Sequence, residues 1–345
     1  MTVHLPMASI VVCSRNGARR LSDCLSAIKH QDYEGKLEII VVDDGSTDDT
    51  YIVAKSFTNV EVIKNAKNLG LGAARNVGIR AAQGEIVAFT DDDCRPQSDW
   101  ITNLCSGYTG SEVLGVGGFI TPQDTDNFVL RYTELSEPIA PLDISLLASQ
   151  ALTYRFGLYL KKMVSLRGHV TRSMPQQVYS LVGANMSFRR SVLNEFGMFD
   201  ERFRFGCEEV ELCKRINDFY PGSLVVVSRC RVKHQYERTL IDLLRRSRSY
   251  GKGNVLMWRK HADVNPTIYP FPLLILASCC LVLVSSRLVI VPVVLVPLLY
   301  SRWAIESVRT RELEPLLYGY IQCLEEWWCD VGFVKGVWDS RACGW

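Results

Sequence analysis

Ile86-Val87-Ala88-Phe89-Thr90-Asp91-Asp92-Asp93 is the stretch on which the reading of the fold turns. An apolar run that stops abruptly in carboxylates reads as a buried strand whose C-terminal end opens into a site. The same pattern recurs upstream. Residues 9–13 are an apolar strand followed by Ser14-Arg15-Asn16-Gly17 and by Leu21, Leu25 and Ile28 at helical spacing. Residues 37–42 are a second strand that runs into Asp43-Asp44-Gly45-Ser46-Thr47-Asp48-Asp49, and residues 60–63 are a third. A helix over residues 72–82 leads into the Ile86 strand. Strands alternating with helices at this spacing predict right-handed crossovers and a mostly parallel α/β sheet. Ligands of such sheets bind beyond the carboxyl ends of the strands, where residues 13–16, 43–44 and 91–93 would converge.

Asp91 and Asp93 form a D-x-D pair, close enough to share a divalent cation bound to a diphosphate. Hard oxygen ligands favour Mg²⁺ or Mn²⁺, held by one or two carboxylates plus substrate phosphates. A solvated turn after a strand has the same composition. Three segments in order remove much of that ambiguity: Val41-Val42-Asp43-Asp44-Gly45-Ser46-Thr47-Asp48, Asn68-Leu69-Gly70-Leu71-Gly72-Ala73-Ala74-Arg75-Asn76 and Phe89-Thr90-Asp91-Asp92-Asp93. Together they resemble the family 2 glycosyltransferases. The resemblance continues through Val182-Gly183-Ala184-Asn185-Met186-Ser187-Phe188 and Glu208-Glu209-Val210-Glu211-Leu212-Cys213, and covers roughly residues 8–240. It implies the Rossmann-like GT-A fold with flanking helices, a nucleotide-sugar donor, Mn²⁺ or Mg²⁺, and hexosyl transfer with inversion at the anomeric carbon.

The resemblance, with the chemistry of each side chain, assigns expected roles. Donor binding falls to Cys13, Arg15, Asp43, Asp44, Arg75, Asp91 and Asp92. Asp43 or Asp44 would accept hydrogen bonds from the base or ribose, although an Asx turn capping the next helix uses the same residues. Arg75 would meet the diphosphate or base edge through its several donors. Asp92 should point to the other side of an extended segment from its neighbours. Asp93, Asp91 and His234 are the expected metal ligands; in relatives a histidine at this place can complete the metal site, and a neutral imidazole is an acceptable ligand. Gly183, Asn185 and Glu208 are expected on the acceptor side.

Inverting transfer needs a carboxylate beside the acceptor hydroxyl. Glu209 occupies the position where the family motif usually has aspartate, so its oxygens reach one methylene further. Glu208 and Glu211 are the other candidates, three apart on one helical face, with Glu209 turned about 100° from Glu208. Neighbouring carboxylates raise one another's pKa, which suits a base working near neutral pH. An acidic helix N-terminus that merely complements the helix dipole would look the same.

The 345 residues hold one large domain and an appendage. Residues 229–260 carry ten basic side chains against Glu237 and Asp242, without the aromatic interleaving or motif of a nucleic-acid binder, so no nucleic acid is expected as a partner. The following apolar segments, 273–284 and 288–300, are each shorter than the roughly 20 residues of a spanning helix. Extended to 268–305 they predict two passes of marginal length, a helical hairpin; a re-entrant hairpin is the alternative that Pro292 and Pro297 make credible. Basic residues flank both outer ends (Arg259, Lys260, then Arg302, Arg309, Arg311), which puts both ends on the cytoplasmic side. Residues 306–345 carry apolar side chains at helical spacing, and five of the seven tryptophans lie beyond residue 300, which reads as an amphipathic interfacial tail or as a helix docked on the catalytic domain.

The expected organisation is therefore a GT-A domain over 1–240, a basic juxtamembrane linker over 241–267, the hairpin over 268–305 and the tail over 306–345. The twelve cysteines are scattered without paired metal-ligand spacing, and no signal peptide precedes the first strand, so a reduced cytoplasmic catalytic domain at an inner membrane is the expectation. The Q-x-x-R-W motif of the processive polysaccharide synthases is absent, Arg248-Ser249-Tyr250-Gly251-Lys252-Gly253 standing in its region. Single-sugar addition to a lipid-linked or glycan acceptor at the bilayer is expected. Two alternatives stay open: a polyprenyl-phosphate glycosyltransferase, and a catalytically silent, membrane-anchored sugar-nucleotide-binding scaffold.

Overall fold

A computed structural model describes residues 5–137, 139–149, 151–165, 175–204, 206–280 and 285–342, with side chains to residue 339. The chain begins β1 (Ala8–Ser14), α1 (Ala18–Lys29), β2 (Leu37–Asp43), α2 (Thr50–Lys55), β3 (Glu61–Lys64), α3 (Leu71–Ala81) and β4 (Ile86–Asp91). It continues β5 (Cys94–Pro96), α4 (Trp100–Ser106), β6 (Gly115–Pro122), α5 (Phe128–Ser136), β7 (Leu142–Asp143), α6 (Leu152–Val164) and β8 (Gln176–Ser180). Then come β9 (Met186–Arg189), α7 (Arg190–Glu195), α8 (Glu208–Phe219), β10 (Leu224–His234) and α9 (Leu240–Lys260). The chain ends with α10 (Pro270–Cys280), α11 (Ile290–Leu299), α12 (Ser301–Thr310) and α13 (Pro315–Ala342). The strands and helices expected upstream of residue 91 are all present within one or two residues.

Two compact units share these elements: Met1–Asp126, Thr133–Ala148 and Thr171–Tyr236 in one, Asn127–Tyr132, Ser149–Val170 and Glu237–Trp345 in the other. The first unit is built on one sheet in the order β3-β2-β1-β4-β9-β6-β10-β8-β7, with β5 pairing beside β10. β3, β2, β1 and β4 are parallel, as the alternation predicts. Beyond β4 the expectation of a mostly parallel sheet fails. β9 inserts antiparallel between β4 and β6, and β10 runs parallel to β6 but antiparallel to β5 and β8. The sheet is mixed, and apolar periodicity along a sequence does not state a strand's neighbours or direction. Met186 and Phe188 of β9 face the core that Val11, Ile40, Phe89 and Leu212 share.

The second unit replaces the expected linker and tail. Residues assigned to a basic linker form the 21-residue α9, capped by Thr239, whose hydroxyl accepts from the Asp242 amide. α9 lies against α13 so closely that a Cβ on Gly251 would meet the Cys329 carbonyl at 2.0 Å, and one on Gly332 the Arg248 carbonyl at 2.1 Å. One face of α13 is packed, with Tyr318, Ile321 and Phe333 buried along it, while Leu317, Val334 and Trp338 stay exposed. Glu326, also buried, accepts from Tyr159 and Tyr300 hydroxyls at 2.7 and 2.8 Å, which satisfies a carboxylate inside an aromatic interior.

The apolar segment is described only in part. α10 has 11 residues and α11 has 10, about 15–17 Å each at 1.5 Å per residue, against about 30 Å of hydrocarbon. Among the described residues no single helix is long and apolar enough to cross a membrane; residues Ser286–Leu299 and Ser301–Thr310 pass as a pair bent by 71°. Pro297 lacks the N–H that would bond Val293, and the Tyr320 hydroxyl donates to that carbonyl instead at 2.7 Å. Residues 281–284 of the expected hairpin and 343–345 of the expected tail lie outside the described residues.

Phe89 is fully buried and meets Phe199 edge-on at 5.5 Å between centroids. Phe89→Ala is expected to cost about 3–5 kcal/mol, read as a lowered urea midpoint at unchanged m.

Candidate active site

The carboxyl ends of β1, β2 and β4, with the start of α8 and the end of β10, carry the acidic residues, and each acid has a different environment. Asp44 is buried and already engaged. Its Oδ1 accepts from Asn65 Nδ2 and the Leu69 amide, and its Oδ2 from the Gly70 amide, each at 2.9 Å. Gly70 opens α3 with φ +99°, which favours glycine, so Asp44 holds this turn in place and is not the donor-binding side chain expected. Asp43 is fully buried; its Oδ1 accepts from the Ser46 amide at 2.9 Å, an Asx-type closure of the turn. Its Oδ2 has no hydrogen-bond partner among the described residues, with Lys64 Nζ at 3.8 Å, which leaves a buried acceptor for a ligand's donor.

Arg75 departs most from expectation. Its side chain is buried beneath the site, with its guanidinium over the Phe199 ring, instead of reaching out to a diphosphate. Nη1 donates to Glu208 Oε1 at 2.7 Å, and Nη2 donates to Asp91 Oδ1 at 3.1 Å and to the Gly183 carbonyl at 3.2 Å. Burial works against its charge, but Asp91 and Glu208 outweigh it and hold the guanidinium firmly protonated. Glu208 is buried too, with Oε1 held by Arg75 and Oε2 without a hydrogen-bond partner among the described residues.

Asp92 faces the opposite side from Asp91, as strand alternation requires. It accepts from the Ser14 hydroxyl and from Arg20 Nε at 3.3 Å; burial pushes its carboxyl up to about 6 while Arg20 pulls it down. These partners mark it as a strut between β4 and α1, not a donor contact. Cys13 is buried in the core, where burial pushes its thiol far above the ordinary value; Arg15, just beyond β1, is exposed.

Asp93, Cys94 and His234 bring one donor atom each to within 4.8 Å of one another. Asp93 Oδ1 lies 3.5 Å from His234 Nε2, near enough for one ion to touch both. Burial, then the charge of Asp91, pushes Asp93 up to about 7. Burial also pushes the Cys94 thiol well up; a neutral thiol is a weak ligand, so the fitting set is carboxylate and imidazole, suited to a hard divalent ion. Asp91, expected as a third ligand, lies outside this group because Arg75 engages it.

α8 begins under strain: Gly206 has φ +84° and Cys207, not a glycine, φ +68°. Such a left-handed residue costs of order 1 kcal/mol and fixes where the next side chains start. Glu208 and Glu211 share one face, as the spacing predicts, and both turn inward. Glu211 is fully buried and forked to Arg215 at 2.8–3.0 Å, which removes it as a base. Glu209 is half-buried; burial, then Glu208, pushes its carboxyl up to about 8 against the pull of Arg75.

Gly183 contributes its carbonyl to Arg75. Asn185, expected at the acceptor, is fully buried: its Nδ2 donates to the Phe119 and Cys230 carbonyls, and its Oδ1 accepts from the Trp100 indole at 2.9 Å. It joins β6, β10 and α4 and touches no surface. Arg20 and Asn65 escaped the sequence reading, because a helix-face arginine and a loop asparagine have no local signature. Trp100 had one, since a buried indole N–H needs a partner.

The glycosyl transferase family 2 model matches residues 9–197. The chain belongs to this family. It is a glycosyltransferase, and the silent-scaffold alternative falls with that. Glycosyltransferase AglE of Haloferax volcanii is 27% identical over 265 residues, covering 75% of this chain and 76% of the relative. Glucosyl-dolichyl phosphate glucuronosyltransferase of the same organism is 26% identical over 239 residues, 66% of this chain and 68% of the relative. Among solved structures, the mannosyltransferase PcManGT from Pyrobaculum calidifontis, determined with GDP-Man and Mn²⁺, matches at TM-score 0.58 and 18% identity, over 98% of this chain and 88% of that one. At that identity the likeness establishes the fold, a GT-A-type α/β architecture.

Asn185→Leu strands the Trp100 donor and two carbonyls. It is expected to cost about 1–3 kcal/mol per stranded group and to lower the melting temperature, with acceptor KM of the folded fraction unchanged. An acceptor contact would move KM instead. Arg75→Met leaves the buried Glu208 and the partly exposed Asp91 without their cation, and is expected to cost about 3–5 kcal/mol by denaturant titration.

Proposed function

We propose that this glycosyltransferase moves one sugar, with inversion, from a nucleotide-sugar donor to a lipid-linked acceptor held at a membrane surface, with Glu209 as the base. The observation that carries the reading is the contrast among the α8 acids. Glu208 and Glu211 are committed to arginines, while Glu209 remains half-open with a carboxyl raised to about 8. A base whose pKa lies near the working pH is well matched to take a proton from a hydroxyl. In the step, the acceptor oxygen bonds to the anomeric carbon as its proton passes to Glu209, and the bond from that carbon to the diphosphate oxygen breaks.

Asp93 and His234 would hold the divalent ion, Mn²⁺ or Mg²⁺, whose chemistry is to neutralise charge on the departing diphosphate. Asp43 would take a donor from the nucleotide through its buried Oδ2. The membrane assignment is supported by nine large apolar side chains exposed between Ile268 and Leu298, flanked by Arg259 and Lys260 on one side and Arg309 and Arg311 on the other. It is supported also by the printed name of the dolichyl phosphate relative. The re-entrant form of the hairpin suits the lengths of α10 and α11, with the catalytic unit on the cytoplasmic face of the inner membrane.

Transfer requires Glu209 as the carboxylate, so kcat/KM is expected to rise with pH through about 8 and then level off. Glu208 and Asp91 raise this value and Arg75 lowers it. Glu209→Gln should lose about 10²–10⁴-fold in kcat and remove that limb. An acceptor phosphate, already ionised, needs no base. Retention of most activity by Glu209→Gln would therefore select transfer to a polyprenyl phosphate. Chelator should abolish transfer, and added Mn²⁺ should restore it in the parent enzyme at far lower concentration than in His234→Ala.

A further inference from the structure

α6 presents its apolar side chains the wrong way round for a helix of a water-soluble fold. Leu152, Phe156, Leu160 and Val164, four apart along one row, are all exposed, at 62%, 45%, 40% and 57%. The adjoining row is turned inward and engaged. Arg155 donates from Nη1 to the Asn265 carbonyl at 2.6 Å and from Nη2 to Thr267 Oγ1 at 2.7 Å. Tyr159 donates to Glu326 at 2.7 Å and meets Phe271 of α10 edge-on at 4.9 Å. Met163 is buried, and its carbonyl accepts from the Ser301 hydroxyl at the start of α12 at 3.3 Å. All of these belong to the second unit. The inner row is thus fixed by polar bonds, and the outer orientation is not a matter of a loosely packed helix free to roll.

The row of exposed apolar residues spans about 18 Å, twelve residues at 1.5 Å each. It borders the place where the apolar segment begins, since Arg155 and Tyr159 hold α6 beside residues 265–271. Lys161, exposed, stands at its C-terminal end, while Lys162 lies on the inward row, where its charge acts on Glu325 and Glu326. An apolar row next to basic side chains is the pattern of a helix lying in a membrane interface, apolar groups in the acyl boundary and ammonium groups at anionic headgroups. A water-soluble protein partner would match the apolar row but gives no reason for its continuity with the exposed residues of α10 and α11.

We infer that α6 is a second membrane-docking element: an interfacial helix that lies in the surface of an anionic bilayer through Leu152, Phe156, Leu160 and Val164, beside the re-entrant segment. The inference rests on the reading that the enzyme works at a membrane, and it adds a contact some hundred residues upstream of the apolar segment. A helix held flat beside the re-entrant segment gives the second unit two points of attachment. Two points restrict rotation at the surface in a way that a single hairpin does not.

Photo-crosslinking of the full chain to phospholipid vesicles separates the two readings. p-Benzoylphenylalanine is placed at Phe156, at Leu274 of α10 and, as the control, at Phe219, which is 74% exposed in the first unit. Phosphatidylcholine vesicles with and without phosphatidylglycerol are the probe. Lipid adducts at 156 and 274 but not 219 are expected. Adducts at 274 alone overturn the docking of α6 and leave the hairpin reading standing. Adducts at 156 alone uphold α6 and overturn the hairpin. No adduct at either overturns both. In parallel, Phe156→Glu with Leu160→Glu should lower vesicle partitioning tenfold or more with the melting temperature unchanged, because both side chains are already exposed. Lys161→Ala should weaken binding about fivefold on anionic vesicles and leave neutral vesicles unaffected; an equal loss on both overturns the headgroup contact.

Discussion

A guanidinium sealed away from water has to be surrounded by its own counter-charges, and Arg75 imposes that condition on the whole catalytic unit. Taking such an ion out of water costs several kcal/mol, so Asp91 and Glu208 must both stand where they do. Asp91 ends the central strand β4, and Glu208 opens α8. The Gly183 carbonyl adds the segment ahead of β9. Three stretches that lie 16, 108 and 133 residues along the chain from Arg75 are thereby held on one side chain.

The same contact distributes the acids. Asp44 is satisfied by backbone amides and Asn65, Asp92 by Ser14 and Arg20, Glu211 by Arg215, and Asp91 with Glu208 by Arg75. Two carboxylates are left raised by burial and by neighbouring negative charge without a close ion pair from an arginine: Asp93, at about 7, and Glu209, at about 8. Groups pushed toward neutrality in this way are the ones that gain most from a cation or a proton. The proposed division of labour, Asp93 toward a metal and Glu209 toward a proton, would thus be a consequence of which neighbours are already paired.

The second unit answers a different constraint. Its apolar helices are short and carry proline, so their backbone groups need outside partners, as Val293 finds in Tyr320. Its interior is correspondingly polar for a small helical body, with Glu326 tied to Tyr159, Tyr300 and Gln322. Apolar side chains that an interior of this kind cannot take are left on the outside. The glycines of α9 and α13 let the two longest helices close on each other and carry the rest.

What the sequence determined by itself was local and periodic. The run 86–93 declared a buried strand ending in acids, and the alternation upstream declared crossovers. Helical spacing also separated Glu209 from Glu208 and Glu211 correctly, because 100° per residue is a property of the helix alone. What only the tertiary structure decided was which charged group meets which. Arg75 looked like a ligand contact and is a buried counter-ion; Asn185 looked like an acceptor contact and is a staple in the core; Asp44 looked like a base contact and holds a turn. Each identity depends on a partner 21 to 133 residues away, and no periodicity encodes such a partner. The insertion of β9 and the outward face of α6 have the same origin. Pattern fixes which side of an element is apolar, while only the packed chain decides whether that side meets protein or is left to meet something else.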